Sequence, residues 1–126
     1  MTRLDYYQLQ GFENIYLEDS YVLDIRDGHS TIEFSILAVL TEGHSQYSPP
    51  LVGEQYKYMK ARILFSNVTQ TVWLKKSMTP SIDADGSVDY GNIDVFYFED
   101  GHYYLEGNWG EVNIVSSPPV IELDIG

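Results

Sequence analysis

The chain contains no cysteine, which removes a disulfide framework, thiolate zinc ligation and thiol catalysis together. It is also poor in bases: 7 Lys+Arg stand against 19 Asp+Glu, a formal net charge of −12. A field of that sign repels phosphate and anionic lipid, so neither nucleic acid nor membrane is expected as a partner. The longest apolar run, Ile36 to Leu40, is far below the ~20 residues of a spanning helix. Residues Met1 to Gln10 lack the apolar stretch of a secretory signal, and the expectation is a cytoplasmic protein. Helical spacing of apolar residues is nearly absent, with one candidate helix near Asp5 to Gln10.

What is present is enough to fold. The chain has 126 residues, 44 % hydrophobic and 14 % aromatic, which argues against disorder and for one domain spanning 1–126. A chain of this length buries roughly two-thirds of its unfolded surface.

Short alternating segments between turn residues recur along the sequence. Tyr21, Leu23 and Ile25 alternate with Val22, Asp24 and Arg26, and Asp27-Gly28 follows as a hairpin turn in which Gly accepts positive φ. Ile32, Phe34, Ile36, Ala38 and Leu40 share a face, and Leu37 and Val39 replace polar residues on the other, as in a central strand. Further strands read from about Gln55 to Ser66, Thr69 to Lys75, Ile93 to Phe98, Tyr103 to Glu106, Glu111 to Ser116 and Val120 to Asp124. In the second of these, alternation leaves open whether Val72 and Leu74 or Trp73 points inward. Seven to eight strands imply an all-β fold, an antiparallel β-sandwich or small barrel with meander-like order. Two connections, 42–54 and 77–92, are too long for simple turns and are where function is expected on a rigid scaffold.

The charge is segregated. Residues 1–54 carry two bases and nine acids, residues 55–76 five bases and no acid, and residues 77–126 ten acids and no base. The basic band is expected to serve as counter-ion for neighbouring strands, and the C-terminal acids to face a basic protein partner.

Three sets of residues bear on chemistry. Asp83, Asp85, Gly86 and Asp89 follow the logic of a calcium loop, with Ser81 and Asn92 at positions where stronger ligands belong; the plainer reading is an Asp/Gly turn whose carboxylates bond local N–H groups. His29, His44 and His102 each follow a glycine at a turn or loop start, an exposed placement. With no nucleophile elbow, phosphate loop or metal spacing beside them, no enzyme, no metal and no cofactor is expected. The aromatics, 11 Tyr, 5 Phe and 2 Trp, are mostly strand formers and core. A minority such as Tyr58 and Tyr104 belong on an outer face, where tyrosine serves as an interface anchor or a sugar platform. An edge strand bearing aromatics also allows a homodimer.

The stretch Asp83-Ala-Asp-Gly-Ser-Val-Asp-Tyr-Gly-Asn-Ile-Asp94, followed by Tyr104-Leu-Glu-Gly-Asn-Trp-Gly110, resembles small uncharacterised bacterial proteins with an acidic turn and a Trp-Gly bend. By size and charge the chain is also similar to the immunity partners of bacterial toxins. This resemblance implies a non-enzymatic protein that binds a protein partner; the acidic loop and the aromatic set give a calcium- or carbohydrate-binding β module as the alternative. Tyr90, Asp94, Tyr104 and Trp109 are the candidate binding residues; Tyr90 and Trp109 also suit a structural role, pinning the long loop to the sheet.

Overall fold

The computed structural model describes residues 3–124. It contains eleven strands and, among the described residues, no α-helix. The strands are β1 (Leu4–Asp5), β2 (Tyr21–Asp27), β3 (Ile32–Leu40), β4 (Lys57–Phe65), β5 (Gln70–Lys76), β6 (Ser81–Ile82), β7 (Val88–Asp89), β8 (Val95–Glu99), β9 (His102–Gly107), β10 (Gly110–Val115) and β11 (Val120–Leu123). Pairing is antiparallel throughout. One sheet runs β1-β8-β9-β10-β5, a second β11-β4-β3-β2, and β6-β7 form a separate hairpin.

The fold is all-β as expected, and of the two expected forms it is the sandwich: both large sheets keep free edges, so no barrel closes. Two meanders, β2-β3-β4 and β8-β9-β10, form the bodies of the sheets. After each meander the chain crosses to the other sheet, β4 to β5 and β10 to β11. The count exceeds eight because β1, β6 and β7 are two-residue strands, too short to show a period. The expected helix near Asp5 to Gln10 is instead the end of β1 and a single 3-10 turn, Tyr6–Gln8, since only Tyr6 of that turn is buried.

The core lies between the sheets. Phe34 meets Trp109 edge-on with ring centroids 5.2 Å apart, and Phe65 meets Phe96 and Tyr103 at 6.0 and 5.7 Å. Each fully buried side chain of this size contributes about 1.5–3 kcal/mol of transfer free energy. Strand β3 buries Ile32, Phe34 and Ile36 inward and then Ala38, Val39 and Leu40 on both faces, as its sequence predicts.

Strand β2 departs from its alternation. A bulge between Val22 and Asp24 shifts the register, so fully buried Val22 and then Ile25 face the core. Gly28 is not held at positive φ; a Cβ there would lie 2.5 Å from Thr31 Oγ1, so the residue answers to space. In β5 the ambiguity resolves to Trp73 inward, with Val72 and Leu74 exposed. The Trp73 indole N–H donates to Asp27 Oδ2 at 3.0 Å, joining the edges of the two sheets.

The basic band serves its neighbours in part. Arg62 bridges Glu33 (3.1 Å) and Glu122 (3.0 Å) across β3, β4 and β11, and the Lys76 ammonium stands 4.8 Å from the Trp73 ring centroid. Of the ten acids between Asp83 and Asp124, Glu122 alone takes part in an ion pair among the described residues.

Candidate functional site

Strands β8, β9 and β10 turn Phe96, Tyr103, Leu105, Val112 and Ile114 into the core. The two-residue period then sends Tyr97, Glu99, Tyr104, Glu106, Glu111 and Asn113 to the outer face of the five-stranded sheet. The reversal between β8 and β9 uses Asp100 (φ 52°) and Gly101 (φ 80°), a two-residue turn of the kind that matches strand twist. It sets Glu99 opposite His102 and Tyr97 opposite Tyr104, whose ring centroids are 5.2 Å apart. Asn113 lies across from Tyr104 on the other side.

Glu106 and Glu111 are paired directly across β9 and β10, which brings like charges together. The Tyr104 hydroxyl sits between them, 2.7 Å from Glu106 Oε1 and 3.2 Å from Glu111 Oε2. Burial, and then its bond to Glu106, push the Tyr104 phenol well above its ordinary value, so the proton stays on it and holds the carboxylates in place. Asp94 donates its backbone N–H to Glu106 O at 2.8 Å, and its carboxyl is raised by burial first, then by Glu106 and Glu18. Glu18 in turn accepts the hydroxyl proton of buried Tyr6, which itself takes the Leu17 N–H at 3.2 Å. Two acidic pairs thus result: Glu106 and Glu111, ordered by the Tyr104 hydroxyl on the outer face, and Glu18 and Asp94, which line one small pocket with Tyr6 and Phe96.

Bases are few here. Lys75 stands across from Glu111 in the β10–β5 register, at the far edge. Arg3 bonds Asp5 at 3.4 Å and places its guanidinium carbon 3.9 Å from the Tyr97 ring centroid. A cleft of about 210 Å³ opens beside the tyrosine pair, lined by Tyr97, Glu99, Asp100, His102, Tyr104 and Asn113. A larger depression of about 400 Å³ lies on the other sheet, but there Arg62 and Glu122 already neutralise one another.

Of the four candidate binding residues, Tyr104 belongs to this face, while Asp94 is exposed just before β8 and lines a small pocket with Glu18, Tyr6 and Phe96. Trp109 does not belong to the face: it is fully buried, with its indole N–H donating to Asn92 O at 3.0 Å. Tyr90 is half-buried against the core, and its backbone N–H donates to Val22 O at 2.8 Å, tying the loop to β2. Both pin the long loop to the sandwich; Trp109 is sealed within the core, while Tyr90 keeps part of its surface exposed.

The acidic loop is a β6–β7 hairpin. Asp83 Oδ2 and Asp85 Oδ1 accept the Ser87 hydroxyl at 3.2 and 2.7 Å, and Asp85 also accepts the Ser87 N–H at 2.9 Å. Those two bonds hold the Asp85 carboxyl below its usual range. Asp89 turns away to the Gly91 N–H at 2.8 Å, so the three carboxylates do not converge as calcium ligands. His29 and His102 are exposed, and His44 is half-buried with Nδ1 accepting the Gln46 N–H at 3.0 Å; the three occupy different chain reversals. Tyr58 lies on the outer face of the other sheet as expected. Its neighbours turn against it, Tyr56 at 82° and Tyr21 at 32°, rather than forming a flat platform for a sugar ring.

Tyr97 was identifiable from the sequence, since a two-residue turn at Asp100-Gly101 necessarily sets it opposite Tyr104. Arg3 was not, because its place depends on β1 pairing with β8. Compared with protein-family models, with curated proteins and with solved structures, the chain matches none.

Proposed function

We propose that this protein is a non-enzymatic, acidic binding protein that docks a basic protein partner on the outer face of the five-stranded sheet. Its working place would be the bacterial cytoplasm, and its role that of an immunity-type inhibitor neutralising a toxin. The observation that carries this reading is the cross-strand pair Glu106 and Glu111 beside the Tyr97–Tyr104 pair, held in place by the Tyr104 hydroxyl. Pre-ordered acids with few bases among them attract a cationic surface over long range and speed its association. Tyrosines between them supply contact area at low entropic cost.

The test compares the wild-type chain with Glu106→Lys/Glu111→Lys as baits at low salt in the native host. Each captured protein is then purified and measured directly, together with the product of the adjacent reading frame. A basic protein is expected that binds wild type, weakens steeply with salt and loses at least tenfold in affinity for the variant. Equal binding of both baits would overturn the assignment of the face.

A further inference from the structure

The cleft at the β8–β9 turn has a chemistry narrower than negative charge. We infer that it seats the guanidinium of an arginine from the docked partner, in preference to a lysine ammonium; this rests on the partner-binding reading of the same face. Four observations combine. The cleft, about 210 Å³, has the scale of one long side chain. Its lining includes Tyr97 and Tyr104, and a planar, weakly hydrated guanidinium lies against an aromatic face more readily than a compact ammonium does. The same lining includes Glu99 and Asp100, carboxylates of the kind that accept the paired N–H groups of arginine, and Asn113 with its amide carbonyl.

The fourth observation is the chain's own arginine. Arg3 comes in from β1, packs its guanidinium carbon 3.9 Å from the Tyr97 centroid and bonds a carboxylate at the same time. The face therefore already holds one guanidinium by the aromatic-plus-carboxylate mode proposed for the partner's. The turn is closed by Asp100 and Gly101 at left-handed φ, so the backbone that carries Glu99 and Asp100 is set before binding. The Asp83–Asp89 hairpin offers a contrast. It carries three carboxylates to the cleft's two, but Asp83 and Asp85 are turned onto Ser87 and Asp89 onto Gly91.

The probes are two blocked tripeptides, acetyl-Gly-Arg-Gly-amide and acetyl-Gly-Lys-Gly-amide, titrated into the isotopically labelled full chain and followed by amide chemical shifts. The arginine peptide is expected to give saturable shifts at Tyr97, Glu99, His102, Tyr104 and Asn113. The lysine peptide should bind at least fivefold more weakly. Glu99→Gln/Asp100→Asn should remove the saturable shifts; Asn tolerates the left-handed position of Asp100, so the turn survives. Equal response to both peptides, no saturation, or shifts spread over the Asp83–Asp89 hairpin would overturn the seat. Loss of partner binding by Glu106→Lys/Glu111→Lys would still stand in that case, so the two readings fail separately.

Discussion

Gly107 and Asn92 approach so closely that a Cβ on Gly107 would lie 2.2 Å from the Asn92 carbonyl oxygen and 2.4 Å from Trp109 Nε1. That oxygen accepts the Trp109 indole proton, so one glycine lets a buried tryptophan lock the long loop onto the sandwich. Gly107→Ala should therefore force apart backbone and ring and cost about 2–3 kcal/mol, on the order of 10 °C in melting temperature. Gly86→Ala is the control. It sits at φ 89° with nothing within 4 Å of its Cβ, and should cost only the left-handed penalty of about 1–2 kcal/mol. Equal losses in thermal melts would show that the close approach is not what Gly107 is for.

Ser20 is buried and uses one hydroxyl twice. Its Oγ donates to Tyr16 O at 2.8 Å and accepts the Val39 N–H at 2.9 Å, linking the segment before β2 to the end of β3. Ser20→Ala leaves the buried Val39 N–H without its acceptor and the Tyr16 carbonyl without this donor, and should lower stability by about 1–3 kcal/mol. Denaturant titration should show the midpoint falling with an unchanged slope.

Asp94 carries a stability signature in pH. Its carboxyl is raised above the ordinary range by burial, then by Glu106 and Glu18, so the folded state disfavours its charged form. A raised folded value means a contribution fully present below the unfolded value and lost as pH rises through the folded one. Asp94→Asn should thus stabilise the protein at neutral pH, by up to about 0.5 kcal/mol given its solvent contact, and do nothing below the carboxylate range. Melts at neutral and strongly acidic pH separate these outcomes. A gain that persists in acid would point away from charge.

Calcium should leave the melting temperature unchanged, because Asp83 and Asp85 converge on Ser87 while Asp89 serves Gly91. A concentration-dependent rise at millimolar calcium would show that the hairpin rearranges into a site.

The architecture was readable where a period had room to repeat. Ile32 to Leu40 announces a central strand because nine residues alternate and then turn apolar on both sides. Strand β2 misled because Tyr21, Leu23 and Ile25 mimic a clean face, and a bulge leaves no mark in a pattern of that length. Trp73 could not be oriented from neighbours that are all apolar; its indole bond to Asp27 depends on the other sheet. At the candidate site, Tyr104 was readable as an outward aromatic. The nearness of Glu18 and Asp94 was not, since they come to line one pocket only after the chain has folded over Tyr6.

The exchange of strands between sheets has a kinetic consequence. Strands β2 to β4 can pair with one another as soon as they are made, but β5 must wait for β10, and β1 for β8. Until residues 110–115 arrive, β5 presents Val72, Trp73 and Leu74 with no partner on either edge. Folding should accordingly be slow for the chain's length, limited by these distant pairings. During that interval Lys75 and Lys76, at the end of β5, act as charged gatekeepers that keep a bare strand from joining another chain.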